Sequence, residues 1–201
     1  MRKTLEDTEI SRTKIIEAAE KEFSKHGYVG AKIENIAKAT GMTKGAIFWH
    51  YHSKLGLFKE VIKKSTKHLR DSFDKSFASN EPIMQKCLKL ILQVQREIPF
   101  ELLLQISSME TMRSIPKDAL SMAKNEIALI FHDGYKLLEQ AKKRGELKPE
   151  ANIMDILITL LLFMSGFSQI SNSKEMLSIK EDIDSEAATK ILFKGLDFYQ
   201  K

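Results

Sequence analysis

The sequence has one cysteine, four prolines, one tryptophan and nine glycines in 201 residues. A single thiol cannot close an intrachain disulfide, so the chain is no disulfide-stapled scaffold; it fits a reducing compartment, with Cys87 as a small buried apolar residue. So few prolines and glycines leave long stretches free of helix breakers, and the abundance of Lys, Glu, Leu, Ile and Ala favours helix over sheet almost everywhere. The expected class is all-α. No apolar run is long: the longest, Ile156 to Met164, is nine residues and includes Thr159, against the roughly 20 a membrane-spanning helix needs. The first residues, Met-Arg-Lys-Thr-Leu-Glu-Asp-Thr-Glu, carry acids where a signal peptide has its apolar core, so a cytoplasmic protein is expected, with no membrane partner. The histidines, His26, His50, His52, His68 and His132, have no metal-ligand spacing, and neither a phosphate-cradling glycine loop nor a nucleophile elbow is present. The chain is therefore read as a non-enzyme, with no catalytic residue, metal or cofactor.

What is present in excess is positive charge, and it is unevenly spread. The net charge is +5. Residues 1–70 hold 15 Lys and Arg against 8 Asp and Glu, a net +7, and residues 71–201 hold 17 against 19, a net −2. A basic first third beside a near-neutral remainder is the footprint of a module that meets a polyanion, joined to one that does not.

The basic third contains residues 32–51, which read as two short helices broken by a turn. Ile33, Ile36 and Ala37 lay one apolar stripe along a helix from Ile33 to Thr40. Gly41 stops it, supplying the left-handed backbone that other residues adopt only at a cost, and Met42 folds back on the helix it leaves. Thr43 caps a second helix from Lys44 to about His50. At about 100° per residue, Ile47 and Tyr51 share the inward face while Gly45, Ala46, Trp49 and His50 share the other. Little bulk at Gly45 and Ala46 lets this helix sit deep in a major groove, which is the reading position of a helix-turn-helix.

Around the motif, a first helix from Thr4 or Thr8 to about His26, with Ile15, Ile16, Ala19 and Phe23 inward and Gly27 as its stop, completes a three-helix core. Ser53 caps a long connecting helix to about Phe77, and Lys54 at its N-terminus is placed to meet a DNA phosphate. Asn80-Glu81-Pro82 opens a second domain, with Asn80 as a cap. Its helices are expected over about 81–97, 99–113, 116–145, 152–171 and 184–200, for about nine helices in all. The helix from Asn152 is apolar nearly all round and must be covered on every side. With the last helix, rich in small residues at Ala187, Ala188 and Gly195, it suits a four-helix seam made with a second copy, burial within one subunit being the competitor. Met84, Met109, Met112, Met122, Met154, Met164, Phe100, Phe131, Phe163 and Phe167 either line an adaptable pocket or are plain core. His132 and Arg113 are the nearest polar candidates, and the ligand-binding residues stay unknown.

The first 65 or so residues resemble the TetR family of bacterial transcriptional regulators, through Ile15-Ile16-Glu-Ala-Ala, Phe23, Gly27-Tyr28, Ile36-Ala37, Gly41-Met42-Thr43-Lys44-Gly45, Ile47-Phe48-Trp49-His50-Tyr51, Ser53-Lys54 and Leu57-Phe58. In the second half only Arg144-Gly145-Glu146-Leu147 and the apolar helix look like the family. The resemblance implies an N-terminal helix-turn-helix domain over residues 1–52, a connecting helix over 53–80, and an effector-binding and dimerisation domain over 81–201. It implies a homodimer on a palindromic duplex operator, a repressor released by a small, apolar or amphipathic ligand. Lys32, Thr43, Lys44, His50 and Lys54 would meet phosphates, and Gly45, Ala46, Phe48 and Trp49 would approach base edges. Phe48 stands where the family commonly has Tyr, and Ala46 where Thr or Ser is frequent, so readout is expected to lean on thymine methyls and DNA shape. The alternative role is an architectural protein that coats DNA without an effector.

Overall fold

A computed structural model describes residues 5–97, 115–172, 184–196 and 199. The described residues form eight helices and no strand: α1 (Leu5–Gly30), α2 (Ile33–Thr40), α3 (Lys44–Tyr51), α4 (Lys54–Phe77), α5 (Ile83–Glu97), α6 (Lys117–Lys143), α7 (Ile153–Asn172) and α8 (Ser185–Leu196). The helix expected over 99–113 lies outside them. By compactness the chain divides into two units, residues 1–66 with 101–124, and residues 67–100 with 125–201.

In the first unit the expected inward stripe of α1 is largely observed: Ile15, Ala19 and Phe23 are fully buried, and Ile16 packs beside them half-buried. Gly27 breaks the helix with φ 64°, and a further turn carries on to Gly30 because the Ala31 amide donates to the Gly27 carbonyl at 3.1 Å. The Phe58 ring lies 4.9 Å from both Phe23 and Tyr28, edge-on to the first and tilted to the second, an arrangement that favours ring pairs beyond their burial. Ile36, Ile47, Leu57, Val61 and Ile62 complete this core, joined by Ile115, Ala119 and Ala123 around the start of α6. Sequence periodicity did not anticipate that last group. Two lysines of α4 in this unit hold acids: Lys64, with Ser65, takes Glu20, and Lys59 pairs with Asp118.

The turn from α3 to α4 carries a strained residue. His52 has φ 61° and ψ −31°, a backbone region that costs a residue with a β-carbon about 1–3 kcal/mol. His52→Gly is expected to raise stability by about 0.5–1 kcal/mol, net of the entropy glycine adds to the unfolded chain. Thermal unfolding checks this; an unchanged or lower melting temperature would show that the surrounding turn already accommodates histidine without strain.

In the second unit α5 starts at Ile83 rather than Glu81, and the amide of Ile83 donates to a Glu146 carboxylate oxygen at 2.8 Å. The helix start expected from Asn80 is thus set by a residue 63 positions away. α6 ends in a glycine cap, with Gly145 at φ 80° and the Glu146 amide on the Ala141 carbonyl at 3.0 Å. Asn152 caps α7 by accepting from Met154 at 3.0 Å. The core of this unit holds Met84, Cys87, Ile91, Leu138, Ile156 and Phe193. One side of α7 stays open: Met154, Ile158, Leu161 and Leu162 are exposed, as is Ile191 on α8.

Candidate nucleic-acid interface

The N-terminus of α2 is fixed from α1. One Glu22 carboxylate oxygen accepts from both the Lys32 amide and the Asn35 side chain, each at 2.9 Å. This leaves the Lys32 side chain in solvent at the helix entrance. No short-range pattern in the sequence points to Glu22, because its partners lie 10 and 13 residues on.

The turn between α2 and α3 follows from its residues. Gly41 takes the left-handed conformation at φ 68°, its amide donates to the Lys38 carbonyl, and the Met42 amide donates to Ala37 at 3.1 Å. The last carbonyls of α2 are thereby satisfied. The Thr43 hydroxyl accepts from the Ala46 amide at 3.1 Å and caps α3, and its own hydrogen remains able to donate to an acceptor.

On α3, Ile47 and Tyr51 are buried, and the Tyr51 hydroxyl donates to the Arg12 carbonyl at 3.2 Å, pinning the helix end to α1. Burial raises the Tyr51 pKa, so the phenol stays neutral. Gly45 is exposed, and Trp49 is 71% exposed with its ring edge-on to His50 at 4.7 Å. Of the nine residues expected at DNA, Lys32, Thr43, Lys44, Gly45 and Trp49 are exposed, while Ala46, Phe48, His50 and Lys54 are half-buried. Phe48 also packs on the core of the unit. The Lys44 ammonium bonds the Glu34 carboxylate at 2.5 Å and lies 5.9 Å from the Phe48 ring centroid. The hydrogen bond from Lys44 is the main reason the Glu34 carboxyl titrates below its ordinary range. Lys54 donates to the Val29 carbonyl at 3.0 Å and sits 5.1 Å from the Tyr28 ring centroid; burial lowers its pKa. That bond uses one of the three ammonium hydrogens and orients the other two.

The α3–α4 junction is close-packed. Ser53 caps α4 by accepting from the Gly56 amide at 2.9 Å. A β-carbon on Gly56 would come well inside 3.0 Å of the Tyr51 carbonyl oxygen, nearer than β-carbons approach any atom.

A separate feature of the second unit is an apolar pocket of about 120 Å³, lined among others by Phe73, Phe77, Cys87, Phe131, Leu157 and Met164. Phe131 and Met164 are the two expected residues that it contains. Met84 is buried core, Met122 is half-buried against the first unit's core, Met154 is exposed, and Phe163 and Phe167 are half-buried with rings 6.1 Å apart. Met109, Met112, Phe100 and Arg113 lie outside the described residues, and His132 is exposed. Burial pushes the Cys87 thiol up to about 12, consistent with an inert apolar role. Among the described residues no His, Cys, Asp and Glu cluster is arranged to hold a metal, and no helix is long and apolar enough to cross a membrane.

Comparison with known proteins bears on this geometry. Residues 15–61 match the profile of the bacterial regulatory proteins of the tetR family. The chain is 27% identical over 173 residues to the HTH-type transcriptional regulator TtgR of Pseudomonas putida, covering 83% of this chain and 82% of that one. It is 37% identical over 68 residues to the regulator AcrR of Shigella flexneri, about a third of each chain. A transcriptional regulator from Saccharomonospora viridis, solved in complex with choline, superposes with TM-score 0.73 at 15% identity, over 94% of this chain and 96% of that one.

Proposed function

Because the chain belongs to the TetR family of transcriptional regulators, we propose that it is a repressor that binds a palindromic duplex operator as a homodimer and lets go when a small apolar or amphipathic ligand occupies its second domain. Residues 1–52 bind DNA, 53–80 connect, and 81–201 take the ligand and dimerise. Lys32, Thr43, Lys44, His50 and Lys54 meet phosphates. Gly45, Ala46 and Trp49 reach base edges, with Phe48 contributing its exposed part. The protein acts in the cytoplasm, on the nucleoid.

The observation that carries the reading is the two-faced α3, anchored by Ile47 and Tyr51 and offering Gly45 and Trp49 outward beside Lys32 and Lys44. A side without bulk at the start of a helix, flanked by cations, suits a major groove with phosphates on its rims. The open apolar side of α7 supports dimerisation, since Met154, Ile158, Leu161 and Leu162 recur along one side of the helix and are exposed in the single chain, and an exposed apolar stripe of this kind marks an interface. The pocket supports the ligand: its lining is apolar, and an apolar cavity of about 150 Å³ takes up benzene.

Selecting bound duplexes from a random pool tests this. The expected result is one palindromic sequence with half-sites about one helical turn apart, roughly 34 Å, whose complex dissociates on titration with benzene- or indole-sized compounds. Failure to prefer any duplex at moderate salt overturns the regulator reading, long continuous protection overturns it in favour of the coating role, and an affinity indifferent to every compound that binds the second domain overturns the ligand switch.

A further inference from the structure

Between Lys32 and Lys54 the sequence holds four lysines and a single acid, Glu34. That acid does not lie apart from the DNA-facing side. It sits in the first turn of α2, two residues from Lys32, and its carboxylate bonds the ammonium of Lys44, the first residue of α3. Both side chains are at least half exposed, so the pair is open to solvent and to anything that docks there. The bond from Lys44 holds the Glu34 carboxyl below its ordinary range.

Resting on the DNA-binding reading above, we propose that Glu34 is an internal stand-in for a DNA phosphate: it holds the Lys44 ammonium in the free protein and competes with the duplex backbone for it. A lysine ammonium is a compact charge that meets carboxylate and phosphate oxygens alike. When Lys44 turns to a phosphate, its bond to Glu34 must break, and the energy of that pair opposes binding. The opposition is independent of sequence, because phosphates carry none. Glu34 thus lowers affinity for every duplex, and its effect is most useful off the operator, where no base contacts offset it. The exchange also blunts counterion release: the phosphate loses a condensed cation while the freed carboxylate gathers one.

The test compares wild type, Glu34→Gln, Lys44→Met and the double variant on the selected operator and on a random duplex across a range of salt. Glu34→Gln is expected to tighten binding to both duplexes roughly fivefold or more at low salt. It is also expected to steepen the dependence of log affinity on log salt by about 0.9, one further counterion. In the Lys44→Met background the same change is expected to do much less on both counts. Weaker binding by Glu34→Gln would show that the carboxylate positions Lys44 instead of competing for it. A loss confined to the operator would show that it reads a base amine, and a gain undiminished by Lys44→Met would show repulsion without competition; each overturns the proposal. Matching melting temperatures of the four proteins exclude a folding effect. The wild-type titration separates the two levels, since a wild type that prefers no duplex sinks the DNA-binding reading itself, whereas a binding wild type with an unimproved Glu34→Gln sinks the role of Glu34 alone.

Discussion

Gly56→Ala is expected to lower the melting temperature by roughly 5–15 °C, the counterpart of about 2–4 kcal/mol in a chain of this length. The cause is local and steric. The added β-carbon meets the Tyr51 carbonyl oxygen well inside 3.0 Å, and that oxygen belongs to backbone that cannot rotate away. It is also held from its other side, since the Ser53 amide donates to it at 2.7 Å. Relief requires α3 and α4 to separate at their junction, which breaks the cap from Ser53 to the Gly56 amide and unseats Tyr51 from Arg12. The helix propensity gained, up to about 1 kcal/mol for Gly to Ala, is too small to compensate. Thermal unfolding read by circular dichroism decides it; a melting temperature equal to that of wild type would mean that the approach of Tyr51 to Gly56 is not required by the fold.

Gly45→Leu is expected to do the opposite, leaving the fold intact and abolishing its use. A β-carbon at Gly45 meets only the Thr43 hydroxyl oxygen, at an ordinary 3.8 Å, and leucine is the better helix former, so the melting temperature is expected to hold or rise. Operator affinity is expected to fall about 100-fold or more, near 3 kcal/mol, because a branched side chain then occupies the space in which the start of α3 must approach base edges. Measured operator binding within a few-fold of wild type would remove Gly45, and with it the proposed docking face of α3, from the interface. The pair of glycines is informative together: 11 residues apart, one is required by the protein's own backbone, and the other by the molecule that backbone meets.

Elements specified by neighbours in the sequence were legible there. Helix α2 has the bounds that Ile33, Ile36, Ala37 and Gly41 imply, and Thr43 and Ser53 cap as their chemistry predicts. Each of these depends on torsion angles and on partners within a few residues. The inward face of α3 was legible for the same reason, because one turn separates Ile47 from Tyr51.

The start of α5, the hold of Glu22 on α2 and the pairing of Lys44 with Glu34 were not. Their partners are 63, 10 or 13, and 10 residues apart, and no periodicity marks which of many acids will arrive at a given amide or ammonium. Phe48 shows the limit from the other direction: the family resemblance put it at base edges, and packing on the core takes part of its ring. By itself, then, the amino-acid order determined an all-helical chain, a basic helix-turn-helix and the two faces of its second helix, since charge, propensity and a period of 3.6 residues are local properties. Tertiary structure alone decided which acid occupies which cation, where Gly56 must stay bare and which apolar residues enclose a pocket, because these depend on distances between segments that only the folded backbone brings together.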